Sequence, residues 1–179
     1  MPESHMAKLA AARLVSLAHM VPRLTRKLNW PEKGWTVIVT GMGGDITQPD
    51  AQSAGIRPAE LVDGQIMLGY EIHSGLRLTN GASVVLMGRS FRVAACRAES
   101  GSKEDITMWL TLRDVQSLLD LPGRINEILA IDCRAARDDP DAIRAEVAAV
   151  LPGTQVVMKT PEILTRNMTL LAEAEQAAA

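Results

Sequence analysis

The apolar residues of this chain come in short β-rich runs, each cut off by a turn signal. That spacing constrains the fold more than any other feature. Residues 36–40 read TVIVT, and 65–68, 83–86, 91–95, 106–110, 125–131 and 155–158 repeat the theme. Short runs of this kind, bounded by Gly, Pro or Asn, are strands. Met87-Gly88-Arg89-Ser90 joins two of them, so 83–95 is predicted to be a hairpin. Between the runs, 69–76 reads as one short helix and 78–81 (LTNG) as a turn. Thr111 has the character of an N-cap, with Asp114 at the third helical position, for a helix through Leu119 that Leu121-Pro122-Gly123-Arg124 breaks. Asp139-Pro140 opens a helix over 141–150, and Leu151-Pro152-Gly153 ends it. The expected class is α+β: a small mixed β-sheet with short helices.

The two ends read differently. Ala10, Leu14, Leu17, Val21, Leu24 and Leu28 recur at steps of four and three, a narrow seam that predicts a helix over 4–28 facing one partner helix. Pro22 is expected to kink it near Val21. The plainer alternative is an amphipathic helix lying on the core. Thr160-Pro161-Glu162 caps a helix to about residue 178, with Ile163, Leu164, Met168, Leu171 and Ala174 on one face. The expected division is therefore 1–30 as an N-terminal helical extension, 31–159 as the α+β core, and 160–179 as a C-terminal helix. The two terminal helices are expected to pack antiparallel, or against a second copy.

Several functions are excluded by what is missing. Among 179 residues the charge sum is 19 − 21 = −2, without the cationic excess that nucleic-acid binding needs. Aromatics are 3% of the chain, too few for base-stacking platforms. No apolar run approaches the ~18–20 residues that span a bilayer, and 4–21 is interrupted by His5, Lys8, Arg13 and His19, unlike a signal peptide. Gly41-Met42-Gly43-Gly44-Asp45 follows a strand but lacks the Gly-Lys-Ser/Thr end of a phosphate loop. No CxxC or HxxxH spacing offers a metal site, and no cofactor motif is present. Glu104 and Asp105 could form an acid–base pair, but Lys103 sits among them and no histidine joins them; His73 with Glu71 reads as a solvated surface pair. The chain is therefore expected not to be an enzyme. Cys96 and Cys133 each follow an apolar run. They are a disulfide candidate in an oxidising compartment, or two small buried hydrophobes in a reducing one.

Residues 41–64, rich in Gly, Pro, Asp, Gln and Ser, read as a long exposed loop. Gly43, Gly44, Asp45, Gln48, Asp50 and Gln52 are its candidate partner-contact residues. The alternative is an insertion with no role.

From residue 65 onward the chain resembles a known family. Leu68-Gly69-Tyr70-Glu71, Gly75-Leu76-Arg77-Leu78-Thr79-Asn80-Gly81, Val84, Leu86, Gly88-Arg89 and Phe91-Arg92-Val93 are similar, in order and spacing, to a segment of MacB/FtsX-type ABC-transporter permeases. Gly101-Ser102-Lys103-Glu104-Asp105-Ile106 with Leu110-Thr111-Leu112, and then Leu119-Asp120-Leu121-Pro122-Gly123-Arg124-Ile125-Asn126-Glu127-Ile128, resemble the stretches that follow it. The resemblance spans about residues 65–160. Asn80 stands where the family has Asp, and Thr111 where it has Pro; both are turn or cap positions and bear on subfamily.

The resemblance implies an extracytoplasmic domain set between the first two membrane helices of an inner-membrane permease, on the periplasmic side. The terminal helices would extend those membrane helices. The partners it implies are an ABC ATPase subunit and a second permease copy through the membrane part, and a periplasmic adaptor or substrate at the domain itself. The role it implies is partner or substrate interaction and mechanical coupling, with the energy supplied by another subunit. The alternative is a free-standing soluble α+β binding protein without catalysis.

Overall fold

The computed structural model describes residues 1–12, 19–44, 46–47, 61–131 and 140–157. The predicted β-rich runs are strands: β2 (Trp35–Met42), β4 (Gln65–Leu68), β5 (Ser83–Leu86), β6 (Arg89–Cys96), β7 (Thr107–Thr111) and β8 (Glu127–Ile131). With β1 (His19–Trp30) and the short β3 (Ile46–Thr47) they form one eight-stranded sheet in the order β3-β1-β2-β7-β4-β6-β5, with β8 on β1. The sheet is mixed: β2–β7 and β4–β6 are parallel, the other pairs antiparallel. Helices α1 (His5–Ala11), α2 (Tyr70–Leu76), α3 (Leu112–Leu118) and α4 (Pro140–Val150) complete an α+β fold.

The N-terminal helix over 4–28 is overturned. Among the described residues of that stretch the helix covers His5–Ala11, and His19–Trp30 is a strand paired residue by residue with β2 from Arg23↔Met42 to Trp30↔Trp35. Residues 19–30 therefore belong to the sheet and are not an extension of it. The antiparallel terminal helix pair fails with this; its C-terminal half, 160–179, lies outside the described residues. The physical cause is a shared step. Of the seam residues, Leu24 and Leu28 are four apart, which suits one helix face and equally suits one strand face because four is a multiple of two, while Val21, three before Leu24, falls on the opposite face of the strand. Met20, Leu24 and Trp30 are buried and Leu28 half-buried, with Lys27 and Asn29 exposed between; Arg26 on the same face is exposed and Val21 on the other is buried, so it is the ladder with β2 that fixes the strand. Pro22 fits because its carbonyl accepts the Gly43 N–H at 2.9 Å just where β2 ends, so its missing donor breaks no ladder. The strand expected at 155–158 is also absent over 154–157, where Val156 packs on the core and Val157 is exposed without a ladder.

Side chains occupy free backbone groups on two stretches of strand, one on β5 and one on β1. In the β5–β6 hairpin Met87 (φ 50) and Gly88 (φ 76) form the two-residue turn, both in the left-handed region such turns require. Leu86 and Arg89 flank it, so the Val85 carbonyl points away from β6. The indole Nε1–H of Trp30 donates to that carbonyl at 3.0 Å, and the Glu32 carboxylate accepts the Gly88 N–H at 2.6 Å. That bond holds the Glu32 carboxyl below its usual range. The β1–β2 and β5–β6 hairpins thus touch, and the sheet curls around fully buried Trp30, which meets Trp35 edge-on at 6.2 Å. On β1, the Asn126 amide accepts from the Thr25 N–H at 2.9 Å and donates to the Thr25 carbonyl at 2.7 Å, replacing one residue of a neighbouring strand.

A single apolar cluster joins the sheet to its helices. Val37, Val39, Ile66, Leu68, Met108 and Leu110 from the strands meet Ile72 of α2, Val115 of α3, Ile143 and Val147 of α4, and Met6 and Leu9 of α1. Each such fully buried side chain contributes ~1.5–3 kcal/mol. Gly41 lets α3 lie directly on β2; a Cβ there would meet that of Val115 at 2.7 Å. Gly69, between β4 and α2, lets the backbone of 104–105 pass close; an added Cβ would stand 2.2 Å from the Glu104 carbonyl oxygen.

Candidate functional site

The 41–64 segment is tied down at both ends on the same feature, the first turn of α3. β2 and β7 are parallel with Met42 opposite Thr111, so the chain leaving β2 emerges where β7 turns into α3. Gly43 is pressed against that point: a Cβ would lie 2.5 Å from Pro22 Cγ and 3.3 Å from Leu112 Cδ2. Gly44 follows, exposed. At the returning end, Asp63 Oδ1 accepts the Thr111 hydroxyl at 2.7 Å and its Oδ2 accepts from Arg113 at 3.3 Å. Of the six sequence-predicted contact residues, Gly43 and Gly44 are placed here; Asp45, Gln48, Asp50 and Gln52 lie outside the described residues.

The Thr111 N-cap is as read from sequence, and it extends into a larger knot. Thr111 Oγ1 accepts the Asp114 N–H at 3.1 Å. Its one hydroxyl proton lies between Asp63 Oδ1 at 2.7 Å and Asp114 Oδ2 at 3.2 Å. Asp114 is buried at 4% exposure, and charge at that depth demands partners. Its Oδ2 accepts the Gly64 N–H at 2.8 Å, and its Oδ1 accepts from Arg89 at 3.2 Å. The Arg89 guanidinium also lies over the Phe91 ring, 5.5 Å from its centre. Asp63, Gly64, Arg89, Arg113, Asp114 and Ser117 line an open cleft of about 490 Å³.

Thr111 and Asp114 were legible as a cap. Asp63, Arg89, Arg113 and Ser117 were missed, because the first two arrive from other segments through tertiary contacts. The hydrogen bond that the Gly64 N–H donates to Asp114, across 50 residues, has no local signature.

The remaining sequence candidates have structural occupations. Asp105 is buried and accepts the Ser100 N–H and hydroxyl, both at 2.9 Å, and the Ser102 N–H at 3.2 Å, in a reciprocal cap with Ser102. Burial raises its carboxyl pKa, but the donors from Ser100, Ser102 and Gly101 outweigh that and hold it below the usual range. Glu104 pairs with Arg97 at 3.3 Å, so the two carboxylates do not act together. His73 Nε2 bonds the Arg97 carbonyl oxygen at 2.9 Å, not Glu71. The Cys96 thiol, half-buried over the Leu78 carbonyl, is pushed up by burial; Cys133 lies outside the described residues. Among the described residues no three of His, Cys, Asp and Glu converge as a metal site, and no helix is long and apolar enough to cross a membrane.

The curled mixed sheet with its short helices defines a small α+β module whose described surface includes a charged cleft at one loop base. The same fold is found in a solved structure, the periplasmic region of MacB from Actinobacillus actinomycetemcomitans. The two agree with a TM-score of 0.57 at 14% sequence identity, over 84% of this chain and 72% of that one. No family model matches the sequence, and no curated protein matches it.

Proposed function

We propose that this chain is the extracytoplasmic domain of a MacB/FtsX-like ABC-transporter permease, an interaction and mechanical-coupling module rather than an enzyme. The observation that carries the reading is the fold shared with the MacB periplasmic region over most of both chains. The glycine-and-aliphatic motifs of residues 65–160 point the same way, and the structure explains why they are needed: Gly69 at a backbone crossing, Gly88 in a tight turn, and the Thr111–Asp114 cap. In this reading the domain stands on the periplasmic side of the inner membrane. It works with an ABC ATPase and a second permease copy through membrane helices, and with an adaptor or substrate through the 41–64 segment. Cys96 carries a free thiol in this structure; in the oxidising compartment of this reading it would pair with Cys133.

The test is made on the full-length gene product. Reporter fusions at residues 1 and 179 are expected to place both on the periplasmic side, each joined to an apolar span of ~20 residues. Deletion of 48–55 in the intact transporter is expected to lower transport or adaptor binding while the domain still folds. A gene product with no membrane span beside this domain overturns the reading and makes it a free-standing binding protein.

A further inference from the structure

The cleft beside α3 has a polarity that its composition conceals. Two arginines and two aspartates line it, so its formal charge is zero. The carboxylates, however, are spent inward. Asp114 is taken up by Gly64, Thr111 and Arg89, and Asp63 by Thr111 and Arg113. Each arginine spends one N–H group on its carboxylate among the described residues, out of five that a guanidinium carries. The side chains are 44% and 86% exposed for Arg89 and Arg113, and both line the cleft, so much of each guanidinium is open to solvent beside it. Arg89 is further held by the Phe91 ring, and Arg113 by Asp63, which is itself pinned to Thr111. Anchoring of this kind removes part of the side-chain entropy that an arginine otherwise loses on binding.

We infer that this cleft is a binding site for an oxyanion, a carboxylate or phosphate group bridged between the guanidiniums of Arg89 and Arg113. The planar fork of a guanidinium matches both groups through paired N–H···O bonds, which is the recognition a lysine cannot supply. The aspartates behind the arginines serve as positioning residues. They also limit the strength: each guanidinium is paired with a carboxylate and solvent-exposed, so a free small anion is held weakly. The inference does not depend on the transporter reading, since it uses only this cleft.

The experiment is a titration of the ¹⁵N-labelled chain at constant ionic strength, in two arms, inorganic phosphate and succinate. The amide of Gly64 and the Nε–H groups of Arg89 and Arg113 are the reporters. Saturable shifts at these groups are expected in at least one arm. Saturation by phosphate alone assigns a tetrahedral anion, by succinate alone a carboxylate, and by both a general oxyanion site; all three support the inference. Arg113→Gln is expected to weaken binding at least about fivefold, the loss of one charge-assisted pair. Arg113→Lys, which keeps the charge and loses the fork, is expected to recover less than half of that loss. Arg113 is largely exposed, so neither variant endangers folding. Arg144→Gln, an exposed arginine of α4 paired with Asp141, is the control and should change nothing. Linear, unsaturated shifts in both arms overturn the inference, as do shifts that Arg113→Gln leaves intact.

Discussion

Removal of Asp114 is the sharpest test of the knot that closes the base of the 41–64 segment. In Asp114→Ala the Gly64 N–H loses its acceptor at 2.8 Å, Arg89 its partner at 3.2 Å, and the Thr111 cap its reciprocal side chain. The half-buried Gly64 amide left unpaired costs ~1–2 kcal/mol. Arg89 is 44% exposed and rehydrates, so that pair contributes ~0.5–1 kcal/mol. Weakening the cap adds ~0.5–1 kcal/mol. The sum, ~2–4 kcal/mol, corresponds to a fall in Tm of roughly 5–15 °C for a chain of this size. Urea unfolding followed by tryptophan fluorescence measures it, with an unchanged m-value expected because the same surface unfolds. Asp114→Asn keeps one acceptor oxygen and is expected to lose about half as much. Asp141→Ala, at an exposed carboxylate, serves as reference and should stay within ~0.5 kcal/mol of the wild type. If Asp114→Ala matches that reference, the hydrogen-bond account of the site is wrong.

Three further outcomes are expected. Gly69→Ala should destabilise by about 2 kcal/mol or more, because the new methyl meets the Glu104 and Asp105 carbonyl oxygens at 2.2 and 2.5 Å and backbone must move; thermal unfolding within about 2 °C of wild type refutes it. Trp30→Phe should cost ~2–4 kcal/mol, from the unpaired Val85 carbonyl and the space left in the core, and amide exchange at 83–86 should accelerate; unchanged exchange there refutes the closure of the sheet by the indole. Asp105 has a folded-state pKa below its ordinary value, so its contribution is present above about pH 4 and is lost as pH falls through the lower folded value. The stability gap between wild type and Asp105→Asn should therefore narrow on acidification, and a gap constant from about pH 6 to pH 3 contradicts the assignment.

What was legible in the sequence was whatever is set by neighbours along the chain. The Met87-Gly88 turn, the Thr111–Asp114 cap and the Pro-opened helix at Pro140 each depend on a few consecutive residues, and each was read correctly. β1 was misread because its apolar step of four satisfies two periods at once. The deciding clue was available: Pro31-Glu32-Lys33-Gly34 is a tight turn before TVIVT, and a turn feeding a strand is commonly the bend of a hairpin whose other arm precedes it. Of the site, sequence reading reached the cap and the loop but not the cleft. Asp63, Arg89 and Arg113 stand on three separate segments, and only the parallel β2–β7 pairing and the return of the chain at Gly64 bring them to one place.

The indole on Val85 and the amide on Thr25 have a consequence for how this surface changes over time. A bare strand edge accepts almost any extended peptide, since the ladder reads backbone and is blind to side chains. Here the Val85 carbonyl and the Thr25 peptide group are already occupied by side chains of the domain itself. At these two places an incoming strand finds no free backbone group to pair with. Substitutions elsewhere on the surface can therefore accumulate without these two stretches of strand edge becoming a template for self-association.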